Sequence, residues 1–496
     1  MPKADPLALD RIFHPGSVAV IGVSENPLSL GRMFFLEFSR FNPNGNVYAV
    51  HPAGHRVDGV SCYPSIKDIP GPVDYAFGVL PARFTLEFME ECAVKGVKAV
   101  GFFTAGFSES GEPGGEELQA ELVSIARRGG VRIIGPNCAG LYCPSAGVSY
   151  CADFAHRSGS LGLICQSGGN ATYLVRALNT RGVYISKAVS YGNACDLNET
   201  ELLHYFANDP ETSVIAAYIE GVRGGRDFVS ALTEAARAKP TIVLKGGSTK
   251  EGASTAASHT GSLAGSAAAW RAIVEQAGAI QVDDLDEIVD LAALFTNSQP
   301  INGNRVAVIG LGGGASVLGA DECIKAGLAL PPLTEDAKER LRSFSTEAGN
   351  IYGNPLDTQS FSVGTTEFAE TVKTVAALET VDFVLLQVAY DETPAAPGLE
   401  NRLMMFRVML DIWTAVAPEL GKPTGVVFHY ATLPRTVQTL CEDRERCVAA
   451  GLPVFHSMAG AARAIGRFYG HTQRTRPGGH SEARVAPRGH KGRVAS

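Results

Sequence analysis

Ser160-Leu161-Gly162-Leu163-Ile164-Cys165-Gln166-Ser167-Gly168-Gly169-Asn170 decides how this chain folds. Its first six residues read as a short buried strand, the next five as a glycine loop, and Ala171 to Arg181 as a helix. Strand, glycine loop and helix together bring the positive end of a helix dipole to the loop. The same plan appears upstream. Ser17-Val18-Ala19-Val20-Ile21-Gly22-Val23-Ser24 is a buried strand entering a glycine turn, with a helix from about Gly31 to Arg40. It appears again downstream, where Asn304 to Ile309 is a strand, Gly310-Leu311-Gly312-Gly313-Gly314 a glycine loop, and a helix follows to about Ala326.

Further strands fill in each unit. Asn46 to Pro52, Asp74 to Pro81, Ala99 to Thr104 and Val131 to Asn137 extend the first. Ser213 to Ile219 and Thr241 to Lys245 extend the second, and Asp382 to Val388 and Pro423 to Phe428 the third. Strands that alternate with helices imply parallel sheets, because a parallel pair needs a crossover. The expected fold is therefore α/β, three Rossmann-like or flavodoxin-like parallel-sheet domains in tandem. Their expected bounds are 1–150, 151–298 and 299–470, the last boundary resting on the polar Pro/Gly linker from Asn297 to Asn304. In such sheets the loops after the strands form the ligand crevice.

Composition narrows the function. At 496 residues the chain has room for about three domains, and 45% hydrophobic content supports large cores. A net charge of -8 argues against general nucleic-acid affinity. The ten cysteines are scattered with no Cys-x-x-Cys pair, which points away from zinc and disulfide frameworks. No apolar signal segment opens the chain and no membrane-length apolar run occurs, so a cytoplasmic location is expected. Residues 471–496 hold six Lys/Arg, one Glu and no aromatic residue, and read as a basic, disordered tail.

The chemistry centres on His259, set in Ala256-Ala257-Ser258-His259-Thr260-Gly261-Ser262-Leu263-Ala264-Gly265, a small-residue loop after the Thr241 to Lys245 strand. Such neighbours give an imidazole no apolar pocket and leave it open to approach. Glu220 ends its strand facing the crevice, and Ser167, Gly168 and Gly169, like Gly312, Gly313 and Gly314, offer backbone N–H groups to phosphate. Gly22-Val23-Ser24-Glu25-Asn26-Pro27 has one glycine where the dinucleotide fingerprint has three, so NAD is a poor fit while another nucleotide remains open.

These boxes, in order over roughly Pro15 to Gly466, resemble the α subunit of the NDP-forming acyl-CoA synthetases, the superfamily of succinyl-CoA synthetase and ADP-forming acetyl-CoA synthetase. The resemblance rests on Gly16 to Gly22, Gly135-Pro136-Asn137-Cys138-Ala139-Gly140, Gln166-Ser167-Gly168-Gly169, the box around His259, and Asn354-Pro355-Leu356-Asp357. It implies a CoA-binding first domain contacted through Gly22, Ser24, Asn26, Pro52, Pro81 and Asn137, and a second domain in which His259 is phosphorylated and Glu220 holds it. It implies an acid–thiol ligase that uses ATP and releases ADP and phosphate by way of a phosphohistidine and an acyl phosphate. The nucleotide and Mg²⁺ are then held mainly by an ATP-grasp β subunit, for which no segment is found here, so a hetero-oligomer is expected. Asn170, Leu311 and Thr358-Gln359 depart from the common pattern beside the expected acyl phosphate pocket, to which Tyr191, Asn193 and Phe361 are further candidate contributors. A CoA sensor or scaffold of the same fold without turnover is the alternative.

Overall fold

A computed structural model describes residues 6–260, 266–310, 313–344, 350–357, 365–391, 398–429 and 431–475. Three sheets follow one another along the chain. The first joins β1 (Ser17–Ile21), β2 (Asn46–Val50), β3 (Tyr75–Gly78), β4 (Ala99–Phe102) and β5 (Arg132–Ile134) in the order β2-β1-β3-β4-β5, all parallel. β1 is buried from end to end, as a central strand covered on both faces must be. Its crossover helix, Leu30–Phe41, starts at the Ser29 cap and buries Gly31, Phe35, Phe38 and Phe41, an apolar stripe of helical period.

The second sheet takes β6 (Gly140–Cys143), β7 (Val148–Ser149), β8 (Leu161–Cys165), β9 (Ile185–Ser190), β10 (Val214–Ile219), β11 (Thr241–Lys245) and β12 (Ile280–Val282). Their order is β12-β11-β10-β8-β9-β6-β7. Five of these strands are parallel, but β6 runs antiparallel to β9, with Tyr142 opposite Ala188, and β7 antiparallel to β6. Residues 140–149 thus complete the second sheet rather than the first. The chain arrives there directly from β5 without a crossover helix, and an antiparallel edge strand needs none.

The third sheet is parallel, with β13 (Val306–Gly310), β14 (Leu356–Asp357), β15 (Phe383–Ala389), β16 (Thr424–His429) and β17 (Val454–Phe455) in the order β14-β13-β15-β16-β17. All three sheets therefore share one doubly wound order, in which the second strand of the unit lies on one side of the first and the third on the other. The crevice of such a sheet opens at that switch point, outside the carboxyl ends of the first and third strands.

The units are tied by polar contacts as well as by core packing. Asn193, Cys195 and Leu197 donate backbone N–H groups to Pro136, Gly135 and Ile133 at 3.0–3.1 Å, so the loop after β9 runs beside the end of β5. Arg132 locks the join through Asp196 at 2.7 Å and Glu201 at 3.1 Å. Between the second and third units the helix Met458–Thr475 packs on the helix Leu285–Asn297, and Arg467 meets buried Glu287 at 2.9 Å. Buried Arg181 reaches Asp290 at 3.3 Å and the Val454 carbonyl. That closing helix continues to Thr475 and buries His471 against Phe295, so residues 471–475 belong to the folded unit and not to a tail; residues 476–496 lie outside the described residues. No helix among the described residues is long and apolar enough to cross a membrane.

Candidate active site

The first crevice opens where β1 and β3 diverge. Gly22 follows β1 with φ +87°, and its N–H and that of Val23 donate to the Val50 carbonyl at 3.0 and 3.3 Å. A Cβ on Gly22 would collide with the Val79 carbonyl, so this turn can close against the end of β3 only with glycine. Beyond it, the Ser24 hydroxyl accepts the Asn26 N–H at 3.3 Å and the Asn26 side chain accepts the Leu28 N–H at 3.0 Å, shaping an exposed loop that leads to the helix start at Leu30. Pro52 follows β2, Pro81 follows β3 and Asn137 follows β5. All six residues expected to contact a ligand thus lie on one edge of the sheet. Arg32, the cation on the first turn of that helix, is engaged by Asp58 at 2.7 and 3.0 Å.

A cleft of about 1080 Å³ continues from this edge into the second unit. One wall is the face of the Leu30–Phe41 helix carrying Leu30, Met33 and Phe34, with Phe103 beside it; the other includes Tyr150 and Cys151. Leu30 and Met33 are 48% and 50% exposed, unusual for apolar residues on a packed helix, and both face this space. Asn137 brings the first unit to the cleft, and the second lines it with Gln166, Ser167, Gly168 and Gly169 together with Asp153, Thr172 and Arg176. Ser167 caps the 13-residue helix Gly168–Thr180 by accepting the Asn170 N–H at 3.3 Å, so the positive end of that helix lines the cleft.

Glu220 stands at the switch point of the second sheet, just past β10, and is 6% exposed. The Gln166 side-chain oxygen accepts the N–H groups of both Glu220 and Gly221, at 2.7 and 3.1 Å. The Lys245 ammonium, at the end of neighbouring β11, donates to the Glu220 carbonyl at 2.7 Å, and burial lowers its pKa against an opposing pull from Glu220. The Tyr218 hydroxyl donates to Glu220 Oε1 at 3.1 Å; burial, then the neighbouring carboxylate, raises the pKa of that phenol and keeps it a donor. Further along the same loop the Arg223 N–H donates to Glu199 Oε1 at 2.9 Å. Glu199 is 1% exposed, and burial pushes its carboxyl up to about 7. Gln166, Tyr218, Lys245 and Glu199 thus hold the loop that presents Glu220. None of the four had been singled out from sequence for this role, although Tyr218 and Glu220, two apart at a strand end, share a face of the sheet.

His259 lies in the last turn of a helix, Lys250–Thr260, and not in an open loop as its small neighbours suggested. Ala and Ser are adequate helix formers when nothing larger competes. That helix rests against the Ser108–Ser110 turn of the first unit. The His259 side chain lies outside the described residues, as do residues 261–265, Gly312 and Phe361. Gly313 and Gly314 open the helix Gly313–Lys325 and are exposed. Tyr191 and Asn193 are buried away from the cleft wall, the first 3.5 Å from Gln166 Oε1 and the second donating to Gln119 at 3.1 Å and to Glu109; Gly192 between them lines the cleft.

Residues 16–144 match the CoA binding domain family and residues 158–295 the succinyl-CoA ligase like flavodoxin domain. The chain is 39% identical to the α subunit of ADP-forming acetate–CoA ligase II of Pyrococcus furiosus, over 92% of this chain and 97% of that one. It belongs to the ADP-forming acid–CoA ligases. This α-subunit-type ligase chain is also 36% identical to ADP-forming acetate–CoA ligase I of Archaeoglobus fulgidus, covering 92% of its own length and 63% of that longer chain. In structure the ligase resembles acetyl-coenzyme A synthetase 1 of Ca. Korarchaeum cryptofilum, solved with phosphate and ADP, with a TM-score of 0.77 and 28% identity over 94% of this chain and 97% of that one.

Proposed function

We propose that this chain is the α-type half of a two-part ligase that converts a carboxylic acid, CoA and ATP into acyl-CoA, ADP and phosphate. His259 takes the γ-phosphoryl group of ATP, releasing ADP. The phosphoryl group then passes from the imidazole to an oxygen of the acid, giving an acyl phosphate and a free imidazole. Finally the CoA thiolate attacks the acyl carbon and phosphate leaves. Each transfer joins activated partners in place of one hard condensation.

The observation that carries this reading is the junction at Gln166. One side chain of the cleft floor holds the Glu220 N–H at 2.7 Å, while the next three residues form the start of a 13-residue helix. A carboxylate to orient an imidazole and a helix end to steady phosphoryl oxygens, on the loops after β10 and β8, are thereby joined through one side chain. The first unit supports CoA binding. The loops after its strands carry Gly22, Pro52, Pro81 and Asn137 on one edge, and Asn137 leads from that edge into the cleft. In this reading the phosphate-contacting groups are Ser167, Gly168 and Gly169, with Gly312, Gly313 and Gly314 assigned to the same role from the sequence of the third unit.

An ATP-grasp β subunit supplies the site where ATP is held, and Mg²⁺ is assigned there, where it would neutralise the phosphate oxygens. Support comes from the coverage of relatives. The chain spans 97% of an α subunit and 63% of a longer relative, which leaves a further segment in the latter. The domain division is read as CoA binding to about residue 150, phosphohistidine to about 298 and a second ligase unit beyond, in a cytoplasmic hetero-oligomer. The test is thioester formation from acid, CoA and ATP by the chain with its β partner. His259→Asn and Glu220→Gln should each abolish or cripple it while CoA still binds; normal turnover in His259→Asn would refute the relay.

A further inference from the structure

Leu30, Met33 and Phe34 fall at i, i+3 and i+4 of the Leu30–Phe41 helix and so share one face. It is not the face that packs, which is formed by Gly31, Phe35, Phe38 and Phe41. The helix cannot roll to bury the other set, because its start is pressed onto the turn after β1. A Cβ on Gly31 would stand 2.1 Å from the Gly22 carbonyl oxygen. Phe34 is held by two rings, Phe77 and Phe103, each with its centroid 4.9 Å away. Leu30 and Met33 stand half-exposed on the cleft wall. The fold thus fixes two large apolar side chains in the cleft that its core does not use. A rigid apolar wall with a few polar groups at one end is the usual make-up of a small-molecule site.

The polar groups here are Asn137 and the helix start at Ser167 to Gly169, where the acyl phosphate forms in the reading proposed above, on which this inference rests. A two-carbon acid would displace only two or three waters of about 30 Å³ each, a small part of a cleft of about 1080 Å³. The cations of the lining already have partners. Arg176 meets Asp153 at 2.8 Å and Arg40 meets Glu37 at 3.8 Å, while Glu37 also accepts the Ala152 N–H. A second carboxylate on the acid would exchange water for paired arginines and hydrocarbon. We infer that the acid taken by this site is a monocarboxylate with a bulky apolar tail, aryl or branched alkyl, and that Leu30 and Met33 select it. The carboxylate lies at the helix start and the tail covers the two side chains. Methionine suits such a wall, since its unbranched thioether adapts to tails of different shape.

The test is thioester formation by the chain with its β partner, from ATP, CoA and each of acetate, succinate, 4-methylpentanoate and 3-phenylpropanoate. In the native enzyme kcat/KM for the two apolar acids should exceed that for acetate and for succinate at least about a hundredfold, since one methylene in an apolar pocket is worth about 10–200-fold. In Leu30→Ser/Met33→Ser the ratio of 3-phenylpropanoate to acetate should fall at least about tenfold, with the KM for CoA unmoved, and Met33→Leu should keep the native ratio. Melting temperature is the folding control, and the native series needs no variant. Acetate or succinate preferred by the native enzyme overturns the inference, as does a ratio unchanged in the double variant. A raised KM for CoA with all acids slowed alike also overturns it, because the wall then serves the pantetheine arm. Each of these leaves the ligase reading standing. Thioester from none of the four acids overturns both.

Discussion

Replacing Glu199 by glutamine should stabilise this ligase chain increasingly as pH rises. Glu199 is 1% exposed, and the hydrogen bond it accepts from the Arg223 N–H at 2.9 Å can be accepted equally by a glutamine oxygen. Its second oxygen has no partner among the described residues. Burial outweighs the backbone hydrogen bonds from Arg223 and Glu199 itself and the Arg223 charge, and lifts the carboxyl from 4.5 to about 7. An acid raised in this way binds its proton more tightly folded than unfolded. The charged form is penalised in the fold, and the penalty is absent below pH 4.5, grows between 4.5 and 7 and is complete above 7. A gap of about 2.5 corresponds to roughly 3 kcal/mol when fully developed, of which about 2.5 kcal/mol appears between pH 5 and pH 8.5. Glutamine carries no charge and escapes it. At about 2–4 °C per kcal/mol for a unit of this size, the melting-temperature advantage of Glu199→Gln should widen by about 5–10 °C between those two pH values. Scanning calorimetry of native and variant chains at both settles it. A difference that stays constant within about 1 °C, or that narrows with pH, would refute the reasoning.

Other outcomes follow from packing. Gly22→Ala meets both a positive φ and the Val79 carbonyl; it should weaken CoA binding at least tenfold by isothermal titration while the second unit's labelling by acetyl phosphate is retained. Gly246→Ala pushes into the Tyr218 and Glu220 side chains and should slow imidazole phosphorylation about tenfold or more, measured as single-turnover label, with CoA affinity unchanged. Asp290→Ala strands the Arg181 guanidinium, which is almost wholly buried between the second and third units, and should cost about 3–5 kcal/mol in urea unfolding; the double variant Asp290→Ala/Arg181→Met should recover much of that.

The alternating strands and glycine loops were legible because each is a local pattern. Leu161 to Cys165 is apolar throughout and buried throughout, and Ser167 caps its helix where the glycine loop indicated. Positions on the strand ends were legible for the same reason, since parallel strands all end at one edge of the sheet, which collects Gly22, Pro81 and Asn137 there. Contacts across sequence were not. Gln166 reaches residue 220, and Tyr142 pairs with Ala188, through tertiary geometry that no local pattern announces. The His259 segment misled because small residues fit an exposed loop and a helix alike, and the contact of Lys250–Thr260 with the Ser108–Ser110 turn decides between them. Tyr218 was within reach, since a hydroxyl two residues before a strand-end acid shares its face.

The central claim is that phosphorus pauses on one imidazole. Chain and β partner incubated with [γ-³²P]ATP in the absence of acid and CoA, then digested and sequenced, should yield one acid-labile, base-stable label at His259, discharged when acid and CoA are added together. Label at any other residue, or thioester formed at full rate from a chain that never becomes labelled, would contradict the account.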